Sequence, residues 1–561
     1  MNPLIYLLLM VPAAPLLLAG ASVLPGVRRR LMLALPIATV PALIAALSLP
    51  DEVVVLEWLL LGARFGIDET GRVFLLFTAV LWLAAGWYAN AYIEEPKRRT
   101  SYAVFHLLAM SGNLGVIVAH DMVSFFLFFA LMSFASYGLV IHNRDTEAMR
   151  AGRVYLSLVV VGEVILFAGL QRLAAANGGL ALPAVAASPD FVTTLLLFIG
   201  FGIKAGALPL HVWLPLAHPA APVPASAVLS GAMIKAGLIG WLRFLPLGHP
   251  EAVMWAGPVI SIGLCAAFLG AVVGFCQTNA KAVLAYSSIS QMGLMTAGVG
   301  LCFRPGQELD ATIAIIALFA AHHALCKGTL FLSVGIMAHP PKLPRELCYV
   351  AVLLPALALV GAPFTSGALA KGMLKVAGNA VGGWSILLPL TGVGTTLLML
   401  RFLRLARQMS PGGHHHAPAA PGQWLPWLLL TGLVVVFPML PFAAGPIAPQ
   451  PGWWSKLWPI LSGVVIAFAL IPRLSSKLPL VPPGDILVCF VGTFRMLKLL
   501  LDSAGRSLRP AWVGIRWSAR GCRRHMSGLW NPASMDLRRP WSVSAGLLLL
   551  FIIACVVLMR V

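Results

Sequence analysis

Apolar residues in this chain gather into long runs separated by short polar or basic stretches. Runs of roughly 20 such residues, enough for an α-helix to span a bilayer, fall at about 2–24, 31–49, 72–93, 102–119, 122–142, 154–174, 190–210, 224–247, 253–276, 282–303, 311–338, 348–377, 384–405, 423–446, 457–472 and 541–560. The pattern predicts an all-α polytopic membrane protein of about sixteen transmembrane helices. The loops alternate in charge. The first, third and fifth carry Arg28, Arg29 and Arg30; Lys97, Arg98 and Arg99; and Arg144, Arg150 and Arg153. Later odd loops carry Lys281, then Lys342 and Arg345, then Arg404 and Arg407, whereas the second loop is acidic. By the positive-inside rule the odd loops face the cytoplasm of a bacterial inner membrane, and both termini lie on the periplasmic side.

The segment 473–540 differs in kind. It is mostly too polar to span and mixes apolar with basic residues from Ile486 to Trp512. An amphipathic arm on the cytoplasmic surface is expected there, serving as a lipid anchor, as a docking arm for neighbouring subunits, or as both.

Composition agrees with the pattern. The 561 residues are 59% hydrophobic and 10% charged, with a mean hydropathy of +0.90; a soluble domain carries about 25% charged residues. The net charge of +20 would fit a nucleic-acid binder, but Lys and Arg sit in clusters between apolar runs, so nucleic acid is excluded as a partner. The eight Cys form no C-x-x-C pair, so no zinc, iron–sulfur or haem site is expected. The first run has no basic leader and no convincing cleavage site, and is expected to be a retained helix.

Charges inside the spans carry the chemistry. A lysine at the bilayer centre costs roughly 2.5–3.5 kcal/mol even on the lenient insertion scale. Lys204 lies in FIGFGIKAGALPLHVWLPL beside Gly202, Gly206 and Pro209, and Lys235 in SAVLSGAMIKAGLIGWL. Lys327 follows His323 by four residues and His322 by five, so Lys327 and His323 share a helix face. Lys371 sits beside Gly361, Pro363 and Gly367, and Glu163 is the one acidic residue well inside an expected span. Arg243 and Lys375, near span ends, read as snorkelling residues. His322 or His323 alone could serve only as a hydrogen-bonding group between helices. The run His414–His416 lies in a Gly/Pro-rich loop with no ligand partner nearby.

The seventh and twelfth spans both pair a lysine with helix-breaking residues. Such matched interruptions point to an internal repeat with an ion site at each break, and a displacement of five spans inverts the second copy. Desolvation disfavours the charged form of lysine, so these lysines are candidates to take up and release protons.

At these residues the chain resembles the proton-conducting antiporter-like subunits of respiratory complex I, of hydrogenase-4-type complexes and of Mrp-type Na⁺/H⁺ antiporters. The stretches IKAGALPLHVWLPLAHPAAPVPASAVLSGAMIKAG, AKAVLAYSSISQMG, AHHALCKGTLFLSVG and GAPFTSGALAKG carry the resemblance, over about residues 60–405. It implies two inverted five-helix repeats, here 102–247 and 253–405, preceded by N-terminal helices (1–101). C-terminal helices (406–472), the arm (473–540) and a final helix (541–561) follow. It further implies a proton relay at Lys204, Lys235, His323, Lys327 and Lys371. His218 and His322 are candidate members, with His218 falling in the link between spans seven and eight.

One departure stands out. Where the family usually reads Trp-Glu before Leu-Met-Ser, Phe129 and Ala130 stand here, so the carboxylate that pairs with the lysine of the seventh span is missing. Either Glu163 takes over that role, or the first half-channel is altered and the subunit does something other than pump.

The expected function is that of a non-redox, proton-translocating subunit of a larger complex. Its partners would be other membrane and cytoplasmic subunits, H⁺ (or Na⁺) and lipid, with no cofactor of its own. Two alternatives are a Na⁺/H⁺ antiporter subunit and a proton-conducting partner of a zinc-containing cytoplasmic subunit in inorganic-carbon accumulation.

Overall fold

In the computed structural model, the described residues are 3–182, 190–306, 308–379, 381–409, 418–439, 452–474 and 481–482. They all belong to one compact unit, Met1–Gly484. The run His414–His416, nearly all of the arm at 473–540 and the expected last span lie outside them.

The chain opens with α1 (Pro3–Gly20), then α2 (Pro25–Ile37) and α3 (Val40–Ser48), two halves of one span that part near Pro36. The acidic second loop folds into a hairpin, β1 (Val53–Leu56) antiparallel to β2 (Ala63–Gly66), with Val53 opposite Gly66. Next come α4 (Glu69–Tyr92), α5 (Pro96–Val118), α6 (Met122–Val140) and α7 (Thr146–Asn177). Aspartates start three of these helices: Asp68 accepts from Gly71 N, Asp121 from Ser124 N at 2.7 Å, and Asp145 from Ala148 N at 2.7 Å. Each carboxylate satisfies an amide that would otherwise be left bare at a helix start.

The seventh span is broken. Helix α8 (Phe191–Ala205) stops at Gly206 (φ +73°), and a short 3₁₀ turn (Leu210–Trp213) leads into α9 (Leu214–Ala220). The left-handed conformation at Gly206 is one that a side chain would strain. The span therefore runs ten residues beyond the expected end at 210. His218 lies in the last turn of α9, not in a link: Pro215 and Pro219 sit within a helix packed inside the bundle. Then follow α10 (Val223–Val228), a π-helical stretch (Leu229–Met233) and α11 (Lys235–Phe244).

The second half holds α12 (Ala256–Phe275), α13 (Ala280–Leu301) and α14 (Leu309–Ala338). A second broken span follows, α15 (Arg345–Val360) and α16 (Ser366–Ala377), parted at Gly361 (φ +94°). Helices α17 (Trp384–Gln408), α18 (Pro421–Val436) and α19 (Trp453–Leu474) complete the described part. The boundaries expected at 101/102 and 405/406 fall inside α5 and α17.

Among the described residues twelve helical segments are long and apolar enough to cross a membrane. The expected spans at 282–303, 348–377 and 457–472 are helices too, but fall outside that group. Ser287, Ser288, Ser290 and Gln291 make α13 more polar, α15 and α16 are short halves, and the apolar part of α19 is Trp453–Ala469. The chain is a multi-pass membrane protein.

Arg243 is a buried clamp, not a snorkelling residue. Its side chain is 7% exposed and donates to Asp68 Oδ2 (3.2 Å), Ala119 O (3.0 Å) and Val116 O (3.3 Å). It ties the end of α11 to the start of α4 and the end of α5. His120, in the adjoining turn, is held down at about 4 by burial first and by Arg243 second. Burial works against ionisation of Asp68, yet Arg243 and the Gly71 amide together keep its carboxyl below the ordinary value. Lys375 reaches Ser455 Oγ of α19 at 3.2 Å.

Candidate ion-conducting site

The four lysines of interest are all held well inside the protein, Lys204, Lys235 and Lys327 almost wholly out of contact with solvent. None of them lies within ion-pair distance of a carboxylate among the described residues. Their head groups instead find carbonyls, hydroxyls and an imidazole. A buried cation needs such donors and acceptors arranged around it, because desolvation otherwise costs several kcal/mol.

The centre of the site is a network through α11, α13 and α14. Lys235 Nζ donates to Ser230 O at 2.7 Å and lies 2.7 Å from His323 Nδ1. Ser230 Oγ sits 2.7 Å from Ser288 Oγ, which donates to Leu284 O at 3.0 Å. The same carbonyl accepts from Lys327 Nζ at 2.7 Å. Lys235 and Lys327 are thus held by two main-chain carbonyls, Ser230 O and Leu284 O, with the two serine hydroxyls between them. Its local cause is the π-helical stretch, in which Ile234 N reaches back to Leu229 O at 3.3 Å. Widening the turn there offsets the carbonyls from their usual partners, and the lysine side chain takes up Ser230 O.

His322, next along α14, bonds Ser366 Oγ at 2.7 Å, at the start of α16. Five residues on, Lys371 folds back across the break to cap the end of α15, donating to Leu359 O and Val360 O, each at 2.9 Å. The expected sharing of a face by His323 and Lys327 is realised, but they bind different neighbours. The Nε2 atoms of His322 and His323 are buried with no hydrogen-bond partner.

The first break is built differently. Trp213 Nε1 donates to the Ile203 carbonyl at 2.8 Å, which Gly206 N also reaches at 3.3 Å. Lys204, in the last turn of α8, donates to Tyr155 Oη at 3.1 Å and lies near the faces of Tyr155 and Trp213. Glu163 shares a cavity with Lys204, but the two do not close an ion pair, and Glu163 Oε2 has no hydrogen-bond partner. No hydrogen bond joins Lys204 to Lys235 among the described residues, although α8 and α11 touch closely where Gly237 faces the Phe201 carbonyl.

His218 is buried with both ring nitrogens unpartnered and stacks on Phe331 at 4.5 Å. Beside it Lys281 donates to Ala221 O at 2.7 Å, just past the carbonyl end of α9. The positive end of that side chain suits the negative end of a helix. Sequence reasoning counted Lys281 as a loop charge and missed it here, as it missed Tyr155, Ser230 and Ser288. The serines lie inside the motif stretches already quoted; for Tyr155 nothing in the sequence pattern pointed to the role.

A bundle of membrane-spanning helices with two broken spans and a file of buried lysines and histidines defines a polytopic protein of the antiporter-like class. The chain belongs to the family described as NADH:quinone oxidoreductase/Mrp antiporter, TM, whose model matches residues 119–403. Over 284 residues it is 30% identical to hydrogenase-4 component B of Escherichia coli K12, covering 48% of this chain and 42% of that protein. It is 31% identical over 351 residues to the antiporter subunit mnhA2 of Staphylococcus saprophyticus, covering 57% and 44%. With NADH-quinone oxidoreductase subunit N of Desulforudis audaxviator it shares 27% over 391 residues, covering 64% and 76%. The match spans less than half the length of the first two relatives. Among solved structures the fold is similar to a chain of the Mrp complex from Dietzia sp. DQ12-45-1b, with a TM-score of 0.67 and 22% identity, covering 86% of this chain and all of that one. It is also similar to a chain of the membrane-bound sulfane sulfur reductase, an archaeal respiratory membrane complex, with a TM-score of 0.66 and 19% identity, covering 83% and 99%.

Proposed function

We propose that this chain is a proton-translocating, non-redox subunit of a multi-subunit membrane complex, passing H⁺ along Lys204, Lys235, His323, Lys327 and Lys371. His218 and His322 belong to the same file, with Lys281 at one end. The observation that carries the reading is the Lys235–His323 contact at 2.7 Å, with the Ser230–Ser288 hydroxyl pair lying between the carbonyls that hold Lys235 and Lys327. Buried amines and imidazoles within hydrogen-bond reach of one another are what stepwise proton transfer requires. The two runs from α5 to α11 and from α12 to α17 form the inverted repeats in this reading, and the odd loops face the cytoplasm. Other membrane and cytoplasmic subunits and lipid are the partners, as the names of the relatives and the solved complexes support.

A second reading, a Na⁺/H⁺ antiporter subunit, is favoured by the similarity to mnhA2. The lysines count against Na⁺ in the file itself, because a cationic side chain repels it. The test is purification of the native complex in mild detergent, with mass spectrometry and metal analysis. Co-purifying iron–sulfur subunits that react with quinone or hydrogen support the leading reading. A set of small membrane subunits alone supports the second. A single large zinc-containing partner would replace both with the carbon-accumulation reading.

A further inference from the structure

Away from the lysine file, α16, α17 and α19 border an open groove of about 510 Å³, within the ~300–1,000 Å³ of small-molecule sites. Its polar lining is Lys375, in the last turn of α16, with Ser385 of α17 and Ser455 and Ser462 of α19; Trp454 and Trp458 form an aromatic wall. Helices α17 and α19 run side by side in the same direction: Gly392 faces Pro459, and one turn on Thr396 faces Gly463. Their first turns therefore meet at the groove, and the positive ends of two helix dipoles with them. The 25 residues of α17 are enough to cross the ~30 Å hydrocarbon core, and Arg401, Arg404 and Arg407 lie at its far end. The groove thus opens at the membrane face opposite that basic cluster. Trp384 and Trp453 also start helices there, where aromatic side chains mark the boundary between membrane and water.

Lys375 has no counter-ion of its own. Its Nζ donates to Ser455 Oγ at 3.2 Å, and no ion pair among the described residues includes it. The neighbouring carbonyl of Leu374 is taken by Trp384 Nε1 at 3.2 Å. Between Glu346 and Asp485 the sequence contains no Asp or Glu, so none of α16 to α19 can supply a carboxylate. A half-buried ammonium ringed by hydroxyls and helix starts is complementary to a negative charge brought from outside. A phosphodiester fits, because its oxygens accept from an ammonium and from hydroxyls together. Beyond this polar mouth the same face of α19 continues through Leu461 and Val465, 49% and 66% exposed. A free phosphate would leave that apolar strip bare, whereas an acyl chain would cover it.

We propose that the groove binds one anionic phospholipid, its phosphate against Lys375, Ser385 and Ser455 and an acyl chain along α19. In the orientation given under the proposed function this is a lipid of the periplasmic leaflet. The lipid ties α16, half of the second broken span, to α17 and α19. The site does not depend on which ion the lysine file carries.

The test uses the complex purified from the native host and stripped of lipid by extended detergent washing. Dioleoyl phosphatidylglycerol is titrated back and its binding read by native mass spectrometry, with dioleoyl phosphatidylcholine and inorganic phosphate as comparison probes. Wild type should hold one more phosphatidylglycerol per copy of this chain than Lys375→Gln. Affinity for that lipid should fall about tenfold or more in the variant, the loss expected for one charge-assisted hydrogen bond. Lys375→Arg, which keeps the charge, should retain the lipid and so separates lost binding from lost folding. Equal retention in wild type and Lys375→Gln overturns the site. Phosphatidylcholine held there as firmly as phosphatidylglycerol overturns the charge argument. Displacement of the lipid by millimolar inorganic phosphate assigns the groove to a free anion and overturns the lipid. If Ser385→Cys stays shielded from a water-soluble maleimide in the stripped complex, a protein subunit covers the groove and the proposal fails.

Discussion

Replacing Lys235 by Met keeps the length of the side chain and removes its charge, and the structure sets what that should do. Two hydrogen-bonding partners are released, Ser230 O and His323 Nδ1, each 2.7 Å from Nζ. Leaving a buried acceptor bare costs about 1–3 kcal/mol, so the pair costs about 2–6 kcal/mol. Against this, the variant no longer buries an ammonium inside a span, which returns roughly 2.5–3.5 kcal/mol on the insertion scale. The two effects largely offset each other, and the net loss should not exceed about 3.5 kcal/mol. Transport should fall far more, by roughly a hundredfold or greater, because Lys235 bridges the serine pair and His323. Dye-quenching in vesicles and thermal melting in detergent read the two effects separately. A folded Lys235→Met protein that moves protons at the wild-type rate would refute the role given to the network.

Four further outcomes follow from the same geometry. Arg243→Gln should lower the melting temperature, since it strips charge-assisted bonds worth about 1.5–3 kcal/mol each from Asp68 and two carbonyls, with the Asp68 share discounted for its exposure. Gly206→Ala should destabilise by about 1–2 kcal/mol from the left-handed backbone alone, measured by the same melt. Lys281→Met should slow proton movement more than it lowers stability, because it takes the cation from beside His218; a rate unchanged from wild type would remove Lys281 from the file. Ser288→Ala should interrupt the link between Lys235 and Lys327, and a transport rate within about twofold of wild type would show that protons bypass it.

Much of this was legible because membrane burial makes polar residues conspicuous. Lys204, Lys235, Lys327 and Lys371 stand out against apolar neighbours, and glycines beside two of them marked both breaks. What could not be read was which atoms they meet. Tyr155 is an ordinary aromatic residue in an apolar helix until α8 brings Lys204 to its hydroxyl. Lys281 and Arg243 sit near span ends, where charge normally reaches water, and only the packing of α9 beside the first and of α4 and α5 beside the second turns them inward. The loop before α4 was expected as an acidic connection; it forms a hairpin whose four-residue strands are too short to give a periodic signal. The apolar runs ending at 210 and resuming at 224 leave His218 in a link, yet it lies in a helix whose Pro215 sits at the start, where its missing N–H is no loss.

The π-helical stretch at Leu229–Met233 has a consequence for rotational phase. Such a stretch is one residue more than a regular helix needs, and each residue turns a helix by about 100°. Deleting one of these five would therefore restore regular winding and rotate everything downstream together. Lys235 would leave His323, and Arg243 would leave Asp68, two contacts at opposite ends of α11 that depend on the same angular offset. The extra residue acts as a phase-setter, aiming the cation in the middle of the bundle and the clamp at its end at once.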